Sequence, residues 1–322
     1  MMASRDAPAS IPREDDRPTA IKEKGGRTSP VARQDVRIPS RGESLAAFLY
    51  RPASDGPAPC VVMAHGFSAT RDDSLIPYAE AFQRAGFAVI VFDYRRFGAS
   101  TGKPRQVLDI SCQKDDYRAV VRWARAAEGI DPERIVLWGS SFSGGLVLQV
   151  AATDPRIAAV IAQAPFTDSW ATVRAMPVRN VLRANVEALI DRAGALLGRR
   201  PRYIPAVGEA GSFAVMTAPE AKPGFDALVG ANSLWRNKVA ARVILSITGF
   251  RPGRRANLLT MPVLFCACDD DATTPPGPTI DAARRAPKGE LRRYPYGHFD
   301  IYHDPQAKAD QVEFLSRVVP RT

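Results

Sequence analysis

The residues of this chain whose types and spacing could do covalent chemistry are a serine, a histidine and an aspartate. The segment Arg134-Ile-Val-Leu-Trp-Gly-Ser-Ser-Phe-Ser-Gly-Gly145 reads as a buried strand, Ile135–Trp138, that ends in Gly139 and passes into a helix near Phe142. Ser141 falls on that tight turn, where a strained backbone presents a hydroxyl to the cleft beyond the strand end, as in a nucleophile elbow. Strand and helix pass too closely there for large side chains. Gly139 meets that need, whereas Ser143 stands where the G-x-S-x-G pattern has its second glycine. Serine is small, and Gly144 and Gly145 follow, so Ser143→Gly is expected to be nearly silent and Ser143→Leu to crowd the turn. Taken alone, the segment also fits an ordinary Gly/Ser-rich turn opening a helix.

A serine nucleophile needs a base of near-neutral pKa, and the chain has three histidines, His65, His298 and His303. His298 lies in Tyr296-Gly297-His298-Phe299, just past an expected strand, Leu291–Tyr294, and before a closing helix, Gln306–Val319. A glycine-preceded loop at a strand end can hold an imidazole over the elbow. His303, in Tyr302-His303-Asp304-Pro305, reads instead as the entry to that helix. A carboxylate must fix the imidazole's tautomer, and the strand Val263–Cys268 leads into Asp269-Asp270-Asp271. One of these three should reach the histidine. Asp168, after the strand Ala158–Ala164, is a fourth candidate. The strand Cys60–His65 ends in His65-Gly66-Phe67, where the amides of Phe67 and Phe142 are expected to face a developing oxyanion. The His65 side chain itself reads as a packed, supporting residue.

The elements that must position these groups alternate. Short apolar strands at Leu45–Tyr50, Cys60–His65, Ala88–Phe92, Ile135–Gly139, Ala158–Ala164 and Val263–Cys268 are separated by amphipathic stretches near Ile76–Ala85, Ser111–Ala126 and Gly144–Ala152. That rhythm predicts an open, mostly parallel sheet with helices on both faces and ligands beyond the carboxyl ends of the strands. From Asp168 to about Leu258 the rhythm stops. This stretch holds a helix-like Val181–Leu197, with Val181, Leu182, Val186, Leu189, Ile190 and Leu196 on one side, and a second apolar helix around Lys238–Thr248. So long an insertion is not a structureless loop, and a helical cap over the strand ends is expected.

Composition narrows the function classes. No run approaches the roughly 18 apolar residues a membrane span needs. Residues 1–33 carry no apolar core and read as a disordered tail rather than a secretory signal. Cys60, Cys112, Cys266 and Cys268 are too scattered for a disulfide framework, and Cys266-x-Cys268 lacks a second pair of zinc ligands, which points to a reduced, cytoplasmic protein. No glycine-rich dinucleotide or phosphate loop follows a strand, so neither a nucleotide cofactor nor a metal is expected. The net charge is +10, and residues 168–258 carry 14 Lys/Arg against 6 Asp/Glu. A solvated basic surface is one reading. The sharper one is attraction of a small anionic or carrier-linked acyl substrate by clusters such as Arg199, Arg200, Arg202, Arg251, Arg254 and Arg255. Nucleic acid is not expected, because no recognition motif accompanies the charge.

Over about Val36 to Arg317 the chain resembles the α/β-hydrolase superfamily. The order Ser141, Asp271, His298 is that family's order, and its pattern of strand, acid and downstream proline pair (Pro275-Pro276) falls on Asp271. Phe92-Asp93-Tyr94-Arg95-Arg96-Phe97-Gly98-Ala99-Ser100 is similar to the family's D-x-R-G-x-G-x-S loop, with Arg96 replacing the first glycine. Leu45–Tyr50, His65-Gly66 and the elbow resemble the dienelactone-hydrolase and acetyl-xylan-esterase-like branch. Pro201–Gly208 and Met216–Pro219 resemble bacterial relatives of fungal polyketide transferases. The resemblance implies an α/β-hydrolase core over 34–167 and 259–322, a cap over 168–258, and Ser141, His298 and Asp271 as catalytic residues acting on a carboxylic ester or thioester. It keeps open an acyltransferase that uses an acceptor other than water. A non-catalytic binding homologue is the third reading, and such homologues usually have a broken triad.

Overall fold

The computed structural model describes residues 33–53, 56–174 and 176–320; the tail expected over 1–33 lies, but for Arg33, outside the described residues. The chain runs β1 (Arg33–Ser40), β2 (Glu43–Tyr50), β3 (Ala58–Ala64), α1 (Ile76–Arg84), β4 (Ala88–Phe92), α2 (Ile110–Ala126), β5 (Ile130–Ser140), α3 (Phe142–Ala151) and β6 (Ile157–Gln163). There follow α4 (Ser169–Arg174), α5 (Val178–Leu196), β7 (Tyr203–Ile204), α6 (Ala221–Leu228), β8 (Val239–Ala240) and α7 (Val243–Ile247). The alternation then resumes with β9 (Val263–Cys268), α8 (Pro276–Arg285), β10 (Gly289–Tyr294) and α9 (Pro305–Val318).

Eight strands form one sheet in the order β1-β2-β4-β3-β5-β6-β9-β10. The β1–β2 and β2–β4 pairs are antiparallel and the rest are parallel. The reason is visible in the sequence. Cys60-Val-Val-Met-Ala64 and Ala88-Val-Ile-Val-Phe92 are unbroken apolar runs, and every residue of β3 and β4 is buried, as strands covered on both faces must be. The crossover through α1 steps one way along the sheet, whereas those through α2, α3 and α8 step the other way. Right-handed crossovers therefore put α1 on the face opposite α2, α3 and α8. The order reverses at β3, which lies between β4 and β5, and the carboxyl ends of β3 and β5 open beside each other there.

One expectation for residues 168–258 needs correction. The helix expected around Lys238–Thr248 is in fact β8 followed by the short α7. Tertiary partners take its backbone: β8 pairs with β7, and the Ala240 amide donates to the Gln106 carbonyl at 2.8 Å. Helix α5 does form where periodicity places it, and most of its large apolar side chains point outward. Leu182, Val186, Leu189 and Ile190 are exposed, and Leu196 is 76% exposed, whereas Asn180, Ala184, Ala188 and Asp191 are buried. Polar anchors choose that side. Asp191 accepts from the Arg202 and Arg242 amides at 2.7 and 2.9 Å and from the Arg242 guanidinium, and Asn180 donates to the Ser212 carbonyl at 2.8 Å. The two alanines leave room for neighbouring elements to approach closely.

Candidate active site

The turn between β5 and α3 holds Ser141 at φ 55°, ψ −120°, a conformation a non-glycine residue adopts only when its surroundings impose it. Here they do. The Ser141 amide donates to Gln163 in β6 at 2.8 Å, and the Ser141 carbonyl accepts from the Phe166 amide at 2.9 Å. Close passage fixes the glycines. A Cβ at Gly139 would lie 2.3 Å from the Ser143 carbonyl oxygen, and one at Gly144 would lie 2.7 Å from Pro165.

Ser143 is more than a tolerated substitute for glycine, and its expected near-silence to Ser143→Gly does not fit its contacts. The side chain is fully buried, donates to the His65 carbonyl and lies 2.5 Å from the Tyr94 hydroxyl. It thereby ties the elbow to the ends of β3 and β4. The loop after β4 also explains the other departure. Arg96 has φ +70°, a left-handed conformation that glycine adopts without cost and that strains a side-chain-bearing residue by roughly 1–2 kcal/mol. Two residues on, Gly98 remains glycine, because a Cβ there would lie 2.2 Å from the Asp93 carboxylate.

The three sequence-derived residues meet. Ser141 Oγ lies 2.9 Å from His298 Nε2, and His298 Nδ1 lies 2.6 Å from Asp271 Oδ2. All three are buried. Among the aspartates in question only Asp271 contacts the imidazole: Asp269 pairs with Arg293, Asp270 is exposed, and Asp168 pairs with Arg251. Sequence reasoning passed over Thr274. Its amide donates to Asp271 Oδ1 at 2.5 Å, and its hydroxyl lies 2.8 Å from Asp271 Oδ2 and 3.1 Å from His298 Nδ1. The only hint was its place three residues after the acid, where an aspartate side chain can accept from the backbone in a turn. His303 stands apart, at the foot of α9, whose first turn Asp304 caps.

His65 is a packed residue. It is buried against the Tyr94 ring, at 4.9 Å between centroids, and burial pushes its imidazole down to about 4, so it stays neutral near pH 7. The chain that follows it runs beside Ser141, since a Cβ on Gly66 would lie 3.1 Å from Ser141 Cβ. Among the described residues, neither the Phe67 nor the Phe142 amide has a protein acceptor, which leaves both free beside the serine. Their rings meet edge to face at 5.7 Å.

Ser141 opens onto two spaces. One, of about 120 Å³, is lined by Phe67, Phe142 and Phe166 of the core and by Val173, Met176, Val181, Ala184, Met216, Ile244 and Ile247 of the segment between β6 and β9. It is almost wholly apolar. The second is smaller, about 20 Å³, and lies on the His298 side among Asp73, Phe225, Leu228 and Phe299. No group of His, Cys, Asp or Glu among the described residues is placed to hold a metal ion, and none of the described helices is long and apolar enough to cross a membrane.

Comparison with known proteins agrees with this fold. Residues 41–207 match the family model described as X-Pro dipeptidyl-peptidase (S15 family). The chain is 43% identical over 294 residues to the quorum-quenching protein AidA of Acinetobacter baumannii, covering 90% of this chain and 97% of that one. It is 34% identical over 204 residues to the polyketide transferase grgF of a Penicillium species, covering 62% of this chain and 67% of the other. The crystal structure of that α/β hydrolase, GrgF, superposes with a TM-score of 0.79 at 26% identity over 90% of this chain and all of the other. A thiohydrolase of Aspergillus aculeatus, aneE, is 34% identical over 194 residues, 59% of this chain and 58% of its own. With its eight-stranded sheet, its strand–turn–helix at Ser141 and these relatives, the chain belongs to the α/β hydrolases, within the family that the S15 X-Pro dipeptidyl-peptidase model describes.

Proposed function

We propose that the protein is a serine hydrolase that cleaves a carboxylic ester or thioester through an acyl-enzyme on Ser141. The observation that carries this reading is the buried hydrogen-bonded chain Ser141–His298–Asp271. His298 Nε2 takes the hydroxyl proton as Oγ attacks the acyl carbon. Asp271 holds Nδ1–H toward itself and stabilises the imidazolium, with Thr274 fixing the carboxylate. The Phe67 and Phe142 amides accommodate the oxyanion, a contribution worth about 2.7–4 kcal/mol per donor. His298 then protonates the leaving alcohol or thiol, and a water activated by the same nitrogen releases the acid. Segment 168–258 acts as the cap, supplying the outer wall of the apolar space that receives the acyl chain.

The likeness to a polyketide transferase supports a second outcome of the same acyl-enzyme, in which an acceptor other than water takes the acyl group. The polyketide transferase and thiohydrolase among the relatives fit both outcomes. The deciding experiment is labelling with a fluorophosphonate, followed by turnover of matched esters, lactones and thioesters with and without added alcohol acceptors. Covalent labelling is expected in the native protein and absent in Ser141→Ala. Labelling that survives Ser141→Ala would sink the assignment, and no labelling of either protein would favour a binding homologue.

A further inference from the structure

Away from Ser141, the core segment 103–105 faces segments 198–203 and 236–238 across an open cleft of about 590 Å³. Among the described residues its walls carry six cations, Lys103, Arg105, Arg199, Arg200, Arg236 and Lys238, and no carboxylate. Among the described residues none of the six forms an ion pair, whereas Arg202, Arg242 and Arg251 of the same region each have an acidic partner. The cleft shares no lining residue with the apolar space beside Ser141.

The backbone of the cleft is held in place, and on it Lys103, Arg199, Arg200 and Arg236 are exposed to solvent. Its floor is the β7–β8 ribbon, tied to the core by the Ala240 amide on the Gln106 carbonyl and by the Gln106 side chain, which donates to the Arg236 and Lys238 carbonyls at 3.3 and 3.2 Å. Tyr203 donates its hydroxyl to the Arg105 carbonyl at 2.8 Å, and its ring lies 4.8 Å from the Lys238 ammonium. The Arg105 guanidinium is held by the carbonyls of Ser100 and Gly98. Burial and the neighbouring charge of Arg236 hold Arg105 below its usual arginine range. Positive charges gathered this way repel one another, and a ligand carrying several negative charges at close spacing relieves that repulsion.

We propose that this cleft binds the clustered phosphates of a small phosphate ester or diphosphate, such as the nucleotide end of a carrier. The three arginine forks of Arg199, Arg200 and Arg236 suit phosphate oxygens in pairs, with Lys103, Lys238 and the held Arg105 adding charge, and a single carboxylate would leave most of the six charges unmatched. The cleft's size falls within the roughly 300–1,000 Å³ typical of small-ligand sites. The site does not depend on the reaction proposed above, because binding can be read on the Ser141→Ala protein.

The test is calorimetric titration of full-length Ser141→Ala protein with coenzyme A, ATP, pyrophosphate and orthophosphate at low and high salt, with anionic phospholipid vesicles as a further arm. Micromolar binding of the polyphosphate ligands is expected, weakening as salt rises. Adding Arg199→Glu with Arg200→Glu, or Lys103→Ala with Arg236→Ala, should weaken it by about tenfold or more. The exposed pair Arg254→Glu with Arg255→Glu, outside the cleft, should leave it unchanged. Tighter binding of coenzyme A and ATP than of pyrophosphate assigns a nucleotide carrier; equal binding assigns a free polyphosphate. Both outcomes support the site. It is overturned if none of the soluble phosphates binds, if only vesicles bind, or if the Arg254/Arg255 variant loses as much affinity as the cleft variants.

Discussion

Helices α3 and α5 are both rich in apolar side chains, yet only α3 hides them. Every residue of α3 except Gln149 is buried, with the helix pressed against β5 and β6 directly beneath Ser141. In α5 the large apolar residues face outward, and the buried side is made of two alanines, an asparagine and an aspartate. The difference separates two ways of holding a helix. α3 is fixed by dense packing on a sheet, which can impose the strained conformation of Ser141. α5 is fixed by a few polar anchors and close small-residue contact, so it can line the apolar space beside Ser141 while its large apolar side chains stay exposed.

The largest effect that could break this contrast lies at the elbow. Ser141→Ala and His298→Ala are each expected to lower kcat by about 10³-fold or more. The double variant should lose little beyond either single one, and melting temperatures should move only slightly. Asp271→Asn should also lose most activity while Asp269→Asn keeps it; a reversed result would move the acid elsewhere. Steady-state kinetics on an activated ester measures all five variants.

A middle-sized effect sharpens the account of the elbow's packing. Ser143→Gly removes the partner of both Tyr94 and the His65 carbonyl, so it should destabilise the fold by about 1–3 kcal/mol in urea unfolding. An unchanged midpoint would return Ser143 to the role of a mere glycine substitute. The smallest effect is expected on the outer face of α5. Leu182→Gln with Leu189→Gln should shift stability by no more than about 0.5 kcal/mol and leave KM for short acyl esters unchanged. A loss of several times that would mean the exposed face is packed in the working protein, and the contrast with α3 would fall.

Much of the core was legible in the residues. Short, unbroken, β-branched apolar runs such as Ala88–Phe92 read as strands covered on both faces, and a strand ending in Gly139-Ser-Ser-Phe-Ser-Gly144 has few ways to turn. The scarcity of histidine made His298 conspicuous. Residue types alone left three adjacent aspartates open, and it was the family resemblance that singled out Asp271. The structure brings that residue to His298, because the turn after β9 points its carboxylate inward while Asp269 pairs with Arg293.

What the sequence by itself determined was therefore local: which segments are strands and helices in the sheet, and where a strained turn must sit. Tertiary structure alone decided which side of α5 is buried, because periodicity reports a helix's two faces but not the anchors, Asp191 with Arg242 and Asn180 with Ser212, that turn one of them inward. It alone placed Thr274 against Asp271 and put the Ser143 hydroxyl between Tyr94 and His65. It also gathered Lys103 and Arg105 with Arg199, Arg200, Arg236 and Lys238, charges up to 135 residues apart in the chain. The physical reason is common to all of these. Backbone propensity and hydrophobic pattern act over a few residues, whereas hydrogen bonds and charge act through space between segments that only the folded chain brings together.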